Sequence, residues 1–578
     1  MELIVILAVL AGLIGMLIWN KLDPALVFVV ALLIYMFAGF LPAKEMLNAF
    51  ANETLIALIL LLHVSGVVEK SYFLPWISRK IFKKGSLKKS MFRLATFSVL
   101  LSSHLNNTAV VASMMGVVKT NRYFAPSKFL IPLSFAAIMG GVLTLIGTST
   151  NLIVNSFAIK AGLPPIQYYD FIYIGLPLAV FGIAFLVFAA SRILPDNGVD
   201  VSPSENGNYF LEAIVTQASP LIGKTVKANG LRQMDNLFLA EIIRDERLIS
   251  PVMPDELIEA GDTLVFTGDI TQIQELRKFD GLTVLDQADD LVKSNLQEVV
   301  IRHTAPIIGE KIKDAQFRTR FDAAVVAVRR GDEKLSGKIG EIEMEAGDNL
   351  VLAVGKEFEK HENLRRNFIF INPVETVDNL NRKESITAVI LFMAGILASA
   401  TELISLLQAM ILLIFAYWGL GYLKLKQLRN NLNLGLFLMI GASLGISDVL
   451  AKYGVADLLG KGIIDLVGGA ASPMMALIGV YIATVLVTEV VTNNAAAALM
   501  FPIALSTATQ LGVSPTPFIM GIAYAASASF LTPIGYQTNT MVYSLGKYSF
   551  GDYFKTGLGL TIVYSIVVVS LLPVFFPF

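Results

Sequence analysis

Four short clusters of amide and hydroxyl side chains interrupt long apolar stretches of this sequence. Two of them read "LNNT" (105–108) and "VTNN" (491–494), and two read "IGTSTN" (146–151) and "IGYQTN" (534–539). Polar groups inside an apolar segment cost free energy unless they find partners. Their N–H and O–H groups can donate to an anion, and their oxygens can coordinate a hard cation such as Na⁺. The clusters are therefore candidate binding residues.

The clusters occur in matched pairs. "LNNTAVVASMMG" (105–116) pairs with "VTNNAAAALMFP" (491–502), 386 residues later. "TLIGTSTNLIVNS" (144–156) pairs with "TPIGYQTNTMVYS" (532–544), 388 residues later. The shared order and spacing indicate an internal duplication. The alternative is that these side chains only join helices, with about 0.6–2 kcal/mol for each hydrogen bond. That alternative explains one isolated Asn better than four paired clusters.

The composition places the clusters in a membrane. The chain has 578 residues, of which 55% are hydrophobic and 16% charged, and its net charge is −1. Apolar runs of about 20 residues recur, which is the length that crosses a bilayer. The first run is interpreted as a retained span because no cleavage site follows it. The chain contains no Cys, which excludes disulfides and Cys-bound metal.

Hydropathy divides the chain into a membrane half (1–194), a polar block (195–383) and a second membrane half (384–578). The segments 78–93 and 119–128 are both basic, so both are predicted to be cytoplasmic. The apolar stretch between them must then enter and leave on one side. This predicts a re-entrant helical hairpin over 91–118 with "LNNT" at its tip.

The remaining spans follow from the same charge rule. The predicted spans are 3–19, 24–40, 53–69, 129–158, 171–194, 384–400, 402–420, 432–446, 515–545 and 555–576, with a second hairpin over 474–509. Each half then has five spans and one hairpin, in opposite orientations, which is an inverted-topology repeat. We therefore expect a polytopic α-helical protein of the cell (inner) membrane, with the polar block cytoplasmic and the C-terminus outside.

The polar block contains a repeat of its own. "ASPLIGKTV" (218–226) returns as "TAPIIGEKI" (304–312), 86 residues later. Alternating strands and Gly-Asp turns predict two small α/β domains, 209–290 and 291–372, each with a short helix after its Pro. They resemble the C-terminal ligand-binding domain of potassium-conductance regulators (TrkA-C type). No G-x-G-x-x-G occurs, so no dinucleotide site is expected. An unknown regulatory ligand and a bracing role in a dimer both stay open.

Two hairpins that enter from opposite faces would bring their tips together near the bilayer midplane. Non-helical backbone survives there only when it is buried in protein or lines a cavity. Gly147 and Gly535 suit points where a helix unwinds and exposes carbonyls. No Lys or Arg lies in the four clusters. An anion there would be held by neutral donors, helix N-termini and co-bound cations.

As a set, these motifs resemble the divalent-anion:sodium symporter family, which carries Ser-Asn-Thr at each hairpin tip and paired G-T-x-x-N segments. The resemblance covers both membrane halves. This chain departs from the tip motif at Asn106, Thr492 and Asn494. By position, the resemblance implies one Na⁺ near Ser102, Asn107 and Gly147, and another near Thr488, Asn493 and Gly535. The implied anion-binding residues are Asn106, Asn107, Thr108, Thr148, Thr492, Asn493, Asn494, Tyr536 and Gln537.

The "TPIGYQTN" motif and the inserted domain pair are most similar to those of the sulfate-transporter-like branch. This implies a homodimer in membrane lipid that transports a small dianion, first of all sulfate, with Na⁺ by an elevator movement. The segments 71–90 and 447–471 would be the arms that join scaffold and transport domains. No cofactor beyond the coupling Na⁺ and no nucleic-acid partner is expected.

Three other functions stay open. The substrate could be a C4 dicarboxylate. A Na⁺/H⁺ antiporter would need a titrating group, for which Glu489 and, less so, His104 are candidates. A ligand-gated channel would need a carbonyl filter such as T-V-G-Y-G, which is absent. An enzyme is not expected, because no nucleophile–base pair or metal motif appears.

Overall fold

The structure is a computed structural model. The residues it describes are 2–19, 22–71, 81–82, 86–119, 121, 123–197, 209–231, 237–244, 247–249, 252–268, 279–285, 296–302, 305–331, 333–335, 339–355, 357–358, 361, 363–371, 380–424, 428, 432–466 and 472–578. Within these ranges, six helices are long and apolar enough to cross a membrane. These helices make the chain a polytopic helical membrane protein.

Among the described residues, the last five helices of each membrane half follow the same order, whereas the earlier ones differ: Ala43–Phe50 precedes Glu53–Glu69, and Val455–Leu466 follows Leu434–Lys452. In the first half the helices are Glu2–Trp19, Pro24–Phe37, Ala43–Phe50, Glu53–Glu69, Leu87–Ser102, Asn107–Lys119, Leu130–Gly141, Ser149–Lys160 and Asp170–Phe185, the last continuing through a π-helical turn, Leu186–Ala190, to Ile193. In the second half they are Arg382–Ala400, Leu406–Gly419, Leu434–Lys452, Val455–Leu466, Pro473–Thr488, Asn493–Leu511, Thr516–Ser527, Gln537–Leu545 and Phe550–Phe575.

Each half contains two pairs of consecutive helices. The first hairpin is Leu87–Ser102 with Asn107–Lys119, and the second hairpin is Pro473–Thr488 with Asn493–Leu511. The first broken helix is Leu130–Gly141 with Ser149–Lys160, and the second broken helix is Thr516–Ser527 with Gln537–Leu545.

The polar clusters are where these helices stop and restart. At the second tip, the Thr492 hydroxyl accepts from the backbone N–H of Ala495 at 3.3 Å. At the first tip, Asn106 Oδ1 accepts from the N–H of Thr108 at 2.9 Å. Side-chain oxygens at such positions satisfy the free N–H groups of a helix start. The sequence therefore ends one helix and begins the next at each cluster.

Matching contacts recur in the two halves. The buried hydroxyl of Tyr35 donates to Ile6 O at 2.9 Å, and that of Tyr417 donates to Ala388 O at 2.7 Å. Both pairs are 29 residues apart. The halves also interlock, because the second helix of each packs against the third long helix of the other: Pro24–Phe37 on Leu434–Lys452, and Leu406–Gly419 on Glu53–Glu69.

Two of the predicted boundaries are wrong. The sequence predicts that a span at 432–446 ends where an arm at 447–471 begins. Instead, one helix crosses that boundary and runs from Leu434 to Lys452. The break comes at Gly454, whose φ of +70° suits glycine. Val455–Leu466 then forms a separate helix.

The first predicted arm, 71–90, is only partly described. Residues 72–80 and 83–85 lie outside the described residues, whereas 87–90 begin the first hairpin rather than ending an arm. The short helix Ala43–Phe50 was not predicted. It begins directly after Pro42, whose extended backbone ends the preceding turn.

The polar block forms two five-stranded antiparallel sheets. The first contains β1 (Tyr209–Val215), β2 (Leu237–Arg244), β3 (Arg247–Ile249), β4 (Thr263–Gly268) and β5 (Leu282–Leu285). The second contains β6 (Leu296–Ile301), β7 (Ala323–Arg330), β8 (Glu333–Leu335), β9 (Asn349–Val354) and β10 (Phe368–Phe370). The strand orders are 3-2-4-1-5 and 10-6-9-7-8. Read from its opposite edge, the second sheet has the order 8-7-9-6-10, which is the order of the first sheet with five added to each strand number.

The two sheets share details below the level of topology. Each has a register shift at the same place, after Leu239 in β2 and after Val325 in β7. The residues directly after Pro220 and Pro306 form turns, and the predicted short helix occurs later in the second domain, at Phe317–Phe321. The matching positions of the first domain lie largely outside the described residues. Both turn segments carry Gly three residues after the Pro, which favours a turn.

The second sheet packs directly on the membrane half. Lys119, the last residue of the first hairpin, forms an ion pair with Glu298 of β6. The N–H of Gly331 donates to Ser544 Oγ at 3.0 Å. A Cβ on Gly347 would lie 2.2 Å from Thr540 Cγ2, so this turn fits closely against the second broken helix. The sheet thus contacts the far ends of two helices whose first residues are Asn107 and Gln537.

We expect Lys119→Glu to loosen this contact. The two side chains are 32% and 23% exposed, so the loss is about 1 kcal/mol after solvent screening. Hydrogen–deuterium exchange of the full-length protein should then be about fivefold faster in β6. Adding Glu298→Lys should recover part of that protection. Unchanged exchange in the single variant contradicts the proposed importance of this pair.

Candidate functional site

Each hairpin tip bonds to the broken helix of the opposite half. From the first tip, Asn107 Nδ2 donates to the Tyr536 hydroxyl at 2.8 Å, and Thr108 Oγ1 donates to Gln537 Oε1 at 3.2 Å. At the second tip, Asn494 Oδ1 accepts from Ser149 Oγ and Thr150 Oγ1 at 3.1 and 3.0 Å. These contacts join residues more than 340 positions apart in the sequence. The four predicted clusters therefore meet in one region.

Helix N-termini converge on the same region. Asn107, Ser149, Asn493 and Gln537 are each the first residue of a helix. The free N–H groups at such ends carry partial positive charge. A negative charge placed among them is stabilised without any cationic side chain.

Oxygens cluster around Asn107. Ser102 Oγ donates to Asn107 Oδ1 at 2.5 Å. A Cβ on Gly141 would lie 2.7 Å from Asn107 Oδ1, and one on Gly147 would lie 2.5 Å from Gly141 O. Only glycine allows this close approach of backbone to side chain. The structure thus brings together the three residues predicted for one Na⁺, Ser102, Asn107 and Gly147, around a set of neutral oxygens.

The second half repeats this arrangement. The Thr488 hydroxyl lies 3.0 Å from Asn493 Oδ1 and 2.6 Å from Ala526 O. A Cβ on Gly535 would lie 2.3 Å from Ser529 Oγ. Hydroxyl, amide and backbone oxygens are suitable ligands for Na⁺. Among the described residues, no group of three or more His, Asp or Glu side chains is placed to hold a metal ion.

Two buried asparagines that were not among the predicted site residues brace the breaks. Asn151 Nδ2 donates to Thr144 O at 2.8 Å and to Gly141 O at 3.3 Å. Asn539 Nδ2 donates to Ser529 O at 2.8 Å and to Thr532 O at 3.4 Å. Both are fully buried. Each ties the two ends of the unwound segment together, and each is the last letter of its repeated motif.

Glu489 is bonded to the second broken helix. Its carboxylate accepts from the N–H groups of Leu531 and Thr532 at 2.8 and 3.0 Å, and from the Thr532 hydroxyl at 2.9 Å. The position 386 residues earlier is Ser103, whose hydroxyl instead donates to Leu100 O at 2.8 Å. His104 contacts Ser103 Oγ and the Tyr168 hydroxyl. The Glu489 carboxylate therefore organises the backbone beside Gly535.

A cavity of about 430 Å³, counted with its opening, lies against the first tip. Its lining includes five predicted residues, Asn106, Asn107, Gly147, Thr148 and Tyr536. The other predicted residues, Ser102, Thr108, Thr488, Thr492, Asn493, Asn494, Gly535 and Gln537, do not line it. The lining contains no charged side chain. Any anion held there must be bound by neutral donors and helix ends.

One wall of the cavity was not predicted. Leu58, Leu61, Leu62 and Ser65 contribute it from the helix Glu53–Glu69. This helix is mostly apolar, so nothing in its sequence distinguishes its cavity-lining leucines from others that face lipid. Its apolar wall excludes water from one side of the polar cluster, which strengthens the electrostatic interactions within the cluster.

Asn493 has a buried donor without an acceptor. Its side chain is 5% exposed, and no hydrogen-bond partner for Nδ2 occurs in the described part of the chain. The matching donor, Asn107 Nδ2, is bonded to Tyr536. A buried unpaired donor costs about 1–3 kcal/mol. An oxygen supplied by a bound solute at this place would recover that free energy.

Comparison with known proteins gives one family and several relatives. The citrate transporter family matches residues 14–401 and 389–578. A Chlamydomonas reinhardtii protein named as a sulfur deprivation response regulator is 30% identical over 569 residues, which cover 93% of this chain and 96% of that protein. Sodium/sulfate cotransporter 1 of the same organism is 29% identical over 368 residues, 60% of this chain and 41% of the cotransporter. The sodium-dependent dicarboxylate transporter SdcS of Staphylococcus saprophyticus is 26% identical over 149 residues, 26% of this chain and 28% of the transporter.

Proposed function

The chain belongs to the citrate transporter family, and from this premise we propose that it couples the movement of a small divalent anion, with sulfate first, to Na⁺. Membership makes it a membrane transporter rather than an enzyme. The observation that carries the proposal is the contact of both tips with the opposite broken helices, beside a cavity at the first tip whose lining is uncharged. Relatives named as sodium/sulfate and dicarboxylate transporters support an anion and Na⁺ as the transported species.

Two sodium ions would bind where the oxygens cluster. We assign one to Ser102, Asn107 and Gly147, and the other to Thr488, Asn493 and Gly535. The matched Ser102–Asn107 and Thr488–Asn493 contacts, at 2.5 and 3.0 Å, support a duplicated site. Because the lining is uncharged, the cations would supply the positive charge that a dianion needs. Na⁺ binding and anion binding should then each favour the other.

The anion would lie between the tips, among Asn106, Asn107, Thr108, Thr148, Thr492, Asn493, Asn494, Tyr536 and Gln537. The unpaired Asn493 donor supports this placement, since an anion oxygen is a strong acceptor. The four helix N-termini around it contribute further stabilisation.

The proposed transport movement depends on an inverted repeat of the two membrane halves. In this proposal the two halves have opposite orientations in the membrane, and the hairpins and broken helices move against the remaining helices in a homodimer. Polar contacts of both halves link the two groups: Ser156 Oγ donates to Asn52 Oδ1 at 2.9 Å, Lys160 pairs with Asp448 at 2.6 Å, and the Tyr524 hydroxyl donates to Phe171 O at 2.7 Å. These contacts would break and re-form during transport. The two sheets would lie in the cytoplasm as TrkA-C-type regulatory domains.

Uptake into proteoliposomes tests the function. We expect an inward Na⁺ gradient to stimulate uptake of radiolabelled sulfate at least about tenfold over a K⁺ gradient, because the cations provide the charge compensation. Asn155→Ala serves as the control variant: Asn155 is a buried asparagine that bonds to the N–H of Ile166 away from the clusters. It should keep the Na⁺ stimulation.

Two results decide against sulfate symport. Na⁺-stimulated uptake of succinate without sulfate uptake would favour the C4 dicarboxylate alternative, which the name of one relative supports. Na⁺-dependent proton movement that no anion affects would favour the Na⁺/H⁺ antiporter. The antiporter has less structural support, because the Glu489 carboxylate already accepts three hydrogen bonds.

A further inference from the structure

Tyr536 and Thr148 occupy matching positions in the two broken helices. Each is the residue before the second helical segment, with φ and ψ of −142° and 144° at Tyr536 and −140° and 148° at Thr148. The bracing asparagines Asn539 and Asn151 fix the same alignment, three residues later. The backbones are therefore equivalent, while one side chain is a large phenol and the other a small hydroxyl.

The phenol reaches across the site. Its hydroxyl accepts from Asn107 Nδ2 at 2.8 Å and lies within hydrogen-bonding reach of Thr148. The ring thus extends from the second half to the first tip and forms part of the cavity wall. Thr148 makes no matching contact with Asn493, whose Nδ2 has no acceptor among the described residues. The two ends of a duplicated site have become unequal.

We propose that the Tyr536 side chain sets the size of the transported anion: it admits a compact tetrahedral oxyanion and excludes a four-carbon dicarboxylate. This rests on the proposed anion transport. A compact dianion presents all its oxygens around one centre. The donors near one hairpin tip and the Tyr536 hydroxyl can therefore bind it together. A dicarboxylate carries its charges at separate ends, and each carboxylate needs its own donors. The ring occupies space that the second carboxylate would need.

The position of Tyr536 explains why size, rather than charge, is selected. The cavity contains no charged side chain, so its wall cannot distinguish the two dianions by charge pairing. The apolar wall of Leu58 and Leu61 offers no donor to a second carboxylate. A steric difference in a tight site typically changes selectivity by tenfold or more.

The test replaces Tyr536 by the residue at its matching position. In proteoliposomes, Tyr536→Thr should allow succinate to compete with labelled sulfate at a concentration about tenfold or more lower than in the unaltered protein. Tyr536→Phe keeps the ring and loses the hydroxyl. It should keep the exclusion of succinate while weakening sulfate uptake about tenfold, by the loss of one buried hydrogen bond.

The outcomes separate the two proposals. If Tyr536→Thr transports sulfate and excludes succinate as the unaltered protein does, the ring is not the size filter. If Tyr536→Thr does not fold, the unaltered protein and Tyr536→Phe decide: equal competition by succinate and sulfate in either one overturns the proposal. If the unaltered protein takes up neither anion with Na⁺, the proposed transport function itself fails.

Discussion

Asn107→Ala should abolish Na⁺-stimulated uptake, with a loss of about a hundredfold or more. The Asn107 amide accepts from Ser102 Oγ and donates to the Tyr536 hydroxyl, and it is 3% exposed. Its removal leaves the buried Ser102 hydroxyl and the half-buried Tyr536 hydroxyl without this partner, at about 1–3 kcal/mol for the buried one. A change of 1.4 kcal/mol alters a rate or an equilibrium tenfold. Initial uptake rates at several Na⁺ concentrations measure the effect.

The matched comparisons make the Asn107 result specific. Asn493→Ala should lose uptake similarly, because Asn493 has the same relation to Thr488. Asn155→Ala should lose at most a few-fold, because its one hydrogen bond is to the N–H of Ile166. Size-exclusion profiles establish that each variant is folded. Uptake by folded Asn107→Ala within threefold of the unaltered protein would refute the central role of this amide.

Glu489→Ala should be nearly inactive, whereas Glu489→Gln should retain roughly a tenth of the uptake. The alanine variant leaves the N–H groups of Leu531 and Thr532 without an acceptor, and each costs about 1–3 kcal/mol. A glutamine can still accept one of them through its carbonyl oxygen. The unwound segment next to Gly535 would lose its shape in the first case and partly keep it in the second.

Ser103→Ala is the matched control for Glu489. Ser103 stands 386 residues earlier, and its hydroxyl bonds within its own helix turn rather than to the first broken helix. We expect uptake within about twofold, since the hydrogen bonds of this hydroxyl, to Leu100 O and to the His104 ring, lie outside the broken helices. Complete loss of uptake in a folded Glu489→Gln would contradict a purely organising role for this carboxylate.

The hairpin tips and the breaks in the helices could be predicted because the residue types at each position determine them locally. Asn106 and Thr492 are helix-capping residues inside apolar runs, and such residues favour the start of a helix over its interior. Gly147 and Gly535 mark the unwound segments for the same local reason. Their pairing at constant spacing predicted an internal repeat, which stays a prediction, and the last five described helices of each half follow the same order.

Long-range packing could not be predicted. The contact of Asn494 with Ser149 and Thr150 depends on how the halves interlock, which no local pattern encodes. The apolar cavity wall at Leu58 has the same composition as a lipid-facing surface. The boundary at Gly454 was missed because apolar residues continue on both sides of it, and only the positive φ of the glycine separates the helices.

Two helices connect the candidate site to the second sheet. Asn107–Lys119 and Gln537–Leu545 start at the candidate site and end against the sheet. A helix of 13 residues is a stiff rod about 20 Å long, so a shift at one end is delivered at the other. A movement of the tips would therefore shift the second sheet, and a ligand that held the sheet in place would also restrain the tips.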